Sequence, residues 1–135
     1  MRKFGLQEEV MLRVRVSEQD VHYAGGLVNG AWVISLFGDV GTELSIRYDG
    51  DEGLIRAYKS IDLLEPIHAG DFIEVVGKIV QTGNTSRIME FEARKVIVLS
   101  NIPEQPSAAD VLEEPAVVAR ATMVAVVLKN CQRYK

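Results

Sequence analysis

One segment dominates what this chain can fold into. From Ala31 to Ile46 the run AWVISLFGDVGTELSI repeats its apolar residues at helical spacing, so that Val33, Leu36, Phe37, Val40 and Leu44 gather on one side. That side must be buried against another element. Asn29, a preferred N-cap residue, stands just before it and predicts where the helix begins. The opposite arc carries Ser35, Gly38, Asp39, Thr42 and Glu43 with Trp32 among them, two carboxylates one turn apart beside an aromatic. Gly38 and Gly41 each weaken a helix by about 1 kcal/mol relative to Ala. A close backbone contact is the expected compensation.

The rest of the chain reads as strands. Val10 to Val16 alternates Leu12, Val14 and Val16 with Arg13 and Arg15, the period of a strand with one wet face. After the turn residues RYDGDEG, the segments Leu54 to Leu64, Asp71 to Thr82, Thr85 to Leu99 and Ala116 to Leu128 are rich in β-branched or alternating residues. Gly83-Asn84 is a hairpin-length loop, and EPIHAGD, with Pro66 and Gly70, separates the two strands before it. Both separations predict antiparallel neighbours. SNIPEQPSAADVLEEP holds three of the four prolines and reads as a long surface connection. The order strand, helix, four strands predicts an α+β fold, a five-stranded antiparallel sheet wrapped round one central helix. At 135 residues it forms a single domain, 1–135. One helix face is left over for a second copy to cover, so a homodimer at least is expected.

Charge narrows the partners. With 15 Lys and Arg against 19 Asp and Glu the net charge is −4, a poor match for nucleic acid or an anionic membrane. The single cysteine, Cys131, can form neither an intrachain disulfide nor a thiolate metal cluster. No stretch reaches the roughly 20 apolar residues of a spanning helix, and no signal-peptide pattern follows the start. A cytoplasmic protein is expected. GxGxxG and GxxxxGK[ST] are absent, which removes the usual glycine-loop nucleotide sites.

Several residues could carry chemistry. A helix starting at Asn29, Gly30 and Ala31 offers unsatisfied backbone N–H groups to an oxyanion, and Gly25-Gly26 lets another molecule approach closely. Asp39 lies roughly 13 Å further along the axis at 1.5 Å per residue, beyond the reach of the same atom. A solvated face is the plain explanation of Asp39 and Glu43; their apolar surroundings set a working pair beside it as the alternative. His22 and Tyr23, in the loop before the helix, could orient a ligand or move a proton. Thr85, Ser86 and Arg87 could offer hydroxyls and a cation to a phosphate, or simply shape a hairpin. His68 has no spaced partner for a zinc pair or a Ser-His-Asp set. No metal site is expected.

The outline resembles the hotdog fold of acyl-CoA thioesterases and dehydratases. More specifically, SEQDVHYAGGLVNGA, GDVGTEL, AGDFIEVVGKI and GNTSRIMEFEARKV, which together span most of Ser17 to Val96, resemble the small clostridial-type lyases that act on 3-aminobutyryl-CoA and β-alanyl-CoA. The resemblance implies reversible loss of ammonia from a 3-aminoacyl-CoA, with 3-aminobutyryl-CoA favoured, in amino-acid fermentation such as lysine breakdown. It implies no cofactor, coenzyme A being part of the substrate, and a homodimer or higher, as a dimer or trimer of dimers. It places Asn29, Gly30 and Ala31 at the thioester carbonyl. Chemistry then suggests Asp39 or Glu43 as the base for the α-proton and the other for the amine, with His22 a further catalytic candidate. Tyr23, Trp32, Thr85, Ser86 and Arg87 are the remaining candidates for binding substrate. The Asp, four residues, His, one residue, Asp signature of MaoC-type hydratases is absent. The alternatives are an acyl-CoA thioesterase and a non-catalytic acyl-CoA-binding module.

Overall fold

A computed structural model describes residues 4–134. Its elements are β1 (Glu9–Arg15), β2 (Val21–Tyr23), β3 (Leu27–Val28), α1 (Gly30–Asp49), β4 (Leu54–Leu63), β5 (Phe72–Thr82), β6 (Ser86–Leu99) and β7 (Ala109–Val126), with short 3-10 turns between some of them. β1, β5, β6, β7 and β4 form one antiparallel sheet in that spatial order. The expected sheet round a single helix is thus present.

Register explains how the sheet takes the helix. Val10, Leu12 and Val14 of β1 lie opposite Gly77, Val75 and Ile73 of β5. Gly77 and Val75 in turn oppose Phe91 and Ala93 of β6, which oppose Ala121 and Ala119 of β7. Directly paired residues share a face, so these build one apolar concave surface. Val33, Phe37, Val40 and Leu44 of α1 press into it, each at most 1% exposed. The Phe37 and Phe91 rings stack at 5.3 Å between centroids. Glycines make the fit possible. A Cβ on Gly41 would come within 2.5 Å of Met123 Cε, and one on Gly77 within 2.7 Å of Val40 Cγ1. Gly41 therefore has the close contact expected of it, whereas Gly38 meets only Ile55, at an ordinary 3.5 Å.

Four expectations are corrected. β4 does not lie beside β5; it pairs with β7 at the far edge, because Leu64 to Asp71 crosses under the helix start instead of turning back as a hairpin. Backbone bonds from Val28 N to Ile67 O and from Ala69 N to Gly26 O hold that crossing against β3. β7 begins at Ala109, not Ala116, so the proline-rich connection is shorter and half of it is strand. Pro115 fits there because Leu112 to Pro115 bulge out between the pairs Ile97–Val111 and Lys95–Ala116, and a bulge needs no ladder donor. The glycine-rich loop before the helix contains the small β2–β3 hairpin, turned by Gly25 and Gly26 at φ +76°. Finally α1 runs three residues past Ile46, to Asp49, where Gly50 at φ 74° closes it with an N–H to Ile46 O bond.

Candidate active site

α1 starts where it was expected, but Asn29 does not cap it. Its side chain makes no capping bond, and only its carbonyl is used, accepting from Trp32 N at 3.2 Å. The first helical N–H groups are thus left free of a side-chain cap, the condition for holding an oxyanion. They open beside a pocket of about 290 Å³ whose walls are Leu27, Val28 and Val33 on one side and Leu63, Leu64 and Ile67 on the other, with Asn29 and Gly30 between them. Gly30 is required for that closeness: a Cβ there would lie 2.5 Å from Leu63 Cδ1.

The far wall is braced. Leu64 N and Glu65 N both donate to Val118 O, at 2.8 and 3.3 Å. Lys95 Nζ donates to Pro66 O at 2.8 Å and pairs with the buried Asp71 carboxylate at 3.2 Å, and Asp71 accepts from His68 N at 2.8 Å. In sequence, EPIHAGD reads as a turn and neither Glu65 nor Lys95 stands out. Nothing in residue spacing reveals that this crossing runs beside the helix start; Glu65 before Pro66 was the one available signal.

The other candidates fall elsewhere. Asp39 and Glu43 lie on the open arc of α1, exposed in the single chain, and Glu43 accepts from Arg47 Nε at 2.8 Å. Trp32 is half-buried on the same arc. His22 and Tyr23 are exposed and meet edge to face, their ring centroids 4.8 Å apart. Thr85, Ser86 and Arg87, read either as a phosphate contact or as a plain hairpin, lie at the other end of the helix. Arg87 Nε and Nη2 donate to Asp49 at 2.8 and 2.9 Å, and Nη1 donates to Gly83 O and Ser86 O. A guanidinium committed in this way closes the end of the core instead of facing a phosphate. The structure therefore joins Asn29 and Gly30 to the crossing segment, and joins neither to Asp39, Glu43 or Arg87 within one chain.

β4 carries the remaining clue. Its inward residues line α1, Leu63 at Gly30 and Ile55 at Gly38, yet Ile55 is 47% and Leu63 55% exposed, and among the described residues no strand pairs with the outer edge of β4. The open arc of the helix and this edge form one continuous surface.

One helix gripped by a curved antiparallel sheet, its uncapped start opening on an apolar pocket, defines a hotdog protein, and residues 25–96 match the family model described as thioesterase superfamily. The chain belongs to that superfamily, and within it to the family of small CoA ammonia lyases. It is 55% identical over 91% of its length to a protein of Acetoanaerobium sticklandii named 3-aminobutyryl-CoA ammonia lyase, covering 97% of that relative. The β-alanyl-CoA:ammonia lyase of Clostridium propionicum superposes with a TM-score of 0.91 at 38% identity, over 96% of this chain and 91% of that one. An acyl-CoA hydrolase of Staphylococcus aureus, solved with butyryl coenzyme A, shares the fold at 16% identity and a TM-score of 0.71, over 94% of this chain and 67% of that one. Among the described residues no helix is long and apolar enough to cross a membrane.

Proposed function

We propose that this protein is an ammonia-lyase that reversibly converts a 3-aminoacyl-CoA into the 2-enoyl-CoA and ammonia, with 3-aminobutyryl-CoA as the favoured substrate. The observation that carries it is the 55% identity to the Acetoanaerobium relative over 91% of the chain. The helix start supports it, since backbone N–H groups free of a capping side chain suit the oxygen of a thioester enolate.

In the elimination, a carboxylate takes the α-proton, and the C–H electron pair is held as the enolate while Asn29, Gly30 and Ala31 stabilise its oxygen. The pair then forms the Cα=Cβ bond, the Cβ–N bond breaks, and the β-ammonium leaves as neutral ammonia. Nothing is oxidised or reduced, so the reaction as written calls for no cofactor beyond the coenzyme A of the substrate. Asp39 or Glu43 is the proposed base. Neither reaches the helix start of its own chain, so this role requires a second subunit to bring a helix arc to the pocket. The half-covered β4 and the open arc of α1 are the surface on which that copy would sit. His22, Tyr23 and Trp32 are the proposed contacts to the acyl-CoA. An amino-acid fermentation such as lysine breakdown, in the cytoplasm, is the setting this chemistry fits.

The test is incubation with crotonyl-CoA and ammonium. Loss of the enoyl chromophore without release of free thiol is expected. Thiol release without amination would replace the lyase with a thioesterase.

A further inference from the structure

The pocket at the start of α1 holds one charged residue. Ten of the eleven residues that line it are uncharged, and the exception is Glu65. Among the described residues its carboxylate has no hydrogen-bond or ion-pair partner, unlike Glu43, which is tied to Arg47, or Glu74, which is tied to Arg13. Its backbone, in contrast, is fixed. Glu65 N shares Val118 O with Leu64 N, and the carbonyl of the next residue, Pro66, is held by Lys95. An exposed carboxylate on a braced segment, at a pocket that no other charged residue lines, is free to receive a cation.

Substrate geometry says which cation. In a 3-aminoacyl thioester the nitrogen is separated from the carbonyl carbon by two carbons, so the ammonium must lie within a few ångströms of whatever holds the carbonyl oxygen. With that oxygen at Asn29 to Ala31, the carboxylate for the amine must face the same pocket. Asp39 of the same chain lies roughly 13 Å along the axis at 1.5 Å per residue. Glu65 lines the pocket together with Asn29 and Gly30. We infer that Glu65 binds the β-ammonium of the substrate and so sets the preference of this site for aminoacyl over plain acyl thioesters. The inference rests on the ammonia-lyase reading and divides the labour within it: Glu65 holds the amine, which leaves the helix carboxylates to the α-proton.

Binding and turnover measured on the same proteins test it. Wild type, Glu65→Gln and Glu65→Asp are titrated with 3-aminobutyryl-CoA and with butyryl-CoA, which differs by the amine alone, and assayed for ammonia loss. Wild type is expected to prefer the aminoacyl ester. Glu65→Gln should weaken that ester about tenfold or more, the usual cost of losing a hydrogen bond to a charged group, while butyryl-CoA changes less than about twofold. Glu65→Asp should restore part of the preference. Equal weakening of both esters, or no change in either, overturns the inference even if wild type is a good lyase. A wild type that binds the amine selectively through Glu65 but releases no ammonia leaves this assignment standing and removes the lyase reading instead.

Discussion

Arg87 and Asp49 meet as a two-pronged pair, Nε to Oδ2 at 2.8 Å and Nη2 to Oδ1 at 2.9 Å, with 4% and 2% of their side chains exposed. The pair locks the last turn of α1 to the first residues of β6, and the Tyr48 ring covers it 5.2 Å from the guanidinium carbon. The hydrogen bond to Asp49 also raises the Arg87 pKa further above its already high value. A buried pair of this kind is costly to break from one side, because the surviving charge has no water. Arg87→Met is expected to lower stability by about 3–5 kcal/mol, and Arg87→Lys to recover little because an ammonium cannot match both oxygens. Asp49→Leu combined with Arg87→Met should regain much of the loss. Urea denaturation of the single and double variants measures the coupling, and additive losses would show that the pair acts through something other than mutual neutralisation.

Two glycines in the core should respond unequally to a methyl group. On Gly41 it meets Met123 Cε, the tip of a flexible side chain, whereas on Gly77 it meets Val40 and the Phe91 ring within 2.8 Å, neither of which can swing away. Gly77→Ala is expected to cost about 2–3 kcal/mol and Gly41→Ala about 1 kcal/mol. Thermal melts rank them, and the reverse order would contradict the packing described.

For catalysis, Asp39→Asn and Glu43→Gln separate the helix carboxylates. At least one is expected to lower turnover about a hundredfold, the usual scale for losing a general base, while affinity for the acyl-CoA persists. Steady-state kinetics on 3-aminobutyryl-CoA reads this directly. Two active variants would move the base elsewhere.

Glu92 predicts a pH dependence. Burial pushes its pKa up, but hydrogen bonds from Arg94 and Arg120, at 2.6 and 3.2 Å, outweigh that and leave it below the usual glutamate range. A carboxyl whose folded pKa is depressed adds stability above its unfolded pKa and loses it as pH falls through the folded value. Glu92→Gln should therefore cost up to about 1 kcal/mol at neutral pH, the cluster being partly exposed. The gap to wild type should close in acid, below a pH of about 4. Melting curves at both pH values decide it.

Ile55→Lys and Leu63→Lys probe the open surface of β4. Each places a charge on a half-exposed apolar position beside α1, so a self-associating wild type is expected to give mainly smaller species in these variants, with loss of turnover. Light scattering at several concentrations measures it. Unchanged mass in both variants would move the subunit contact to another face.

The sequence by itself determined the long helix, the five strands of the main sheet and their apolar faces, because these follow from periodicities that a chain carries locally. Val33, Phe37, Val40 and Leu44 could only be one buried stripe, and Leu12 and Val14 only one side of a strand. The blocks between Ser17 and Val96 carried the family likeness in the same local way. Tertiary structure alone decided that β4 crosses to the far edge beside β7, since strand partners depend on where Leu64 to Asp71 passes in space, and no turn residue encodes that route. It also decided the fates of two charges, one a sequence candidate and the other not. Arg87 was drawn into the core because Asp49, distant in sequence, arrives there at the end of the helix, and Glu65 stands beside Asn29 and Gly30 because the crossing segment carries it there. Solvation of a charge is set by which distant segments surround it, and that is a property of the folded chain and not of any window along it.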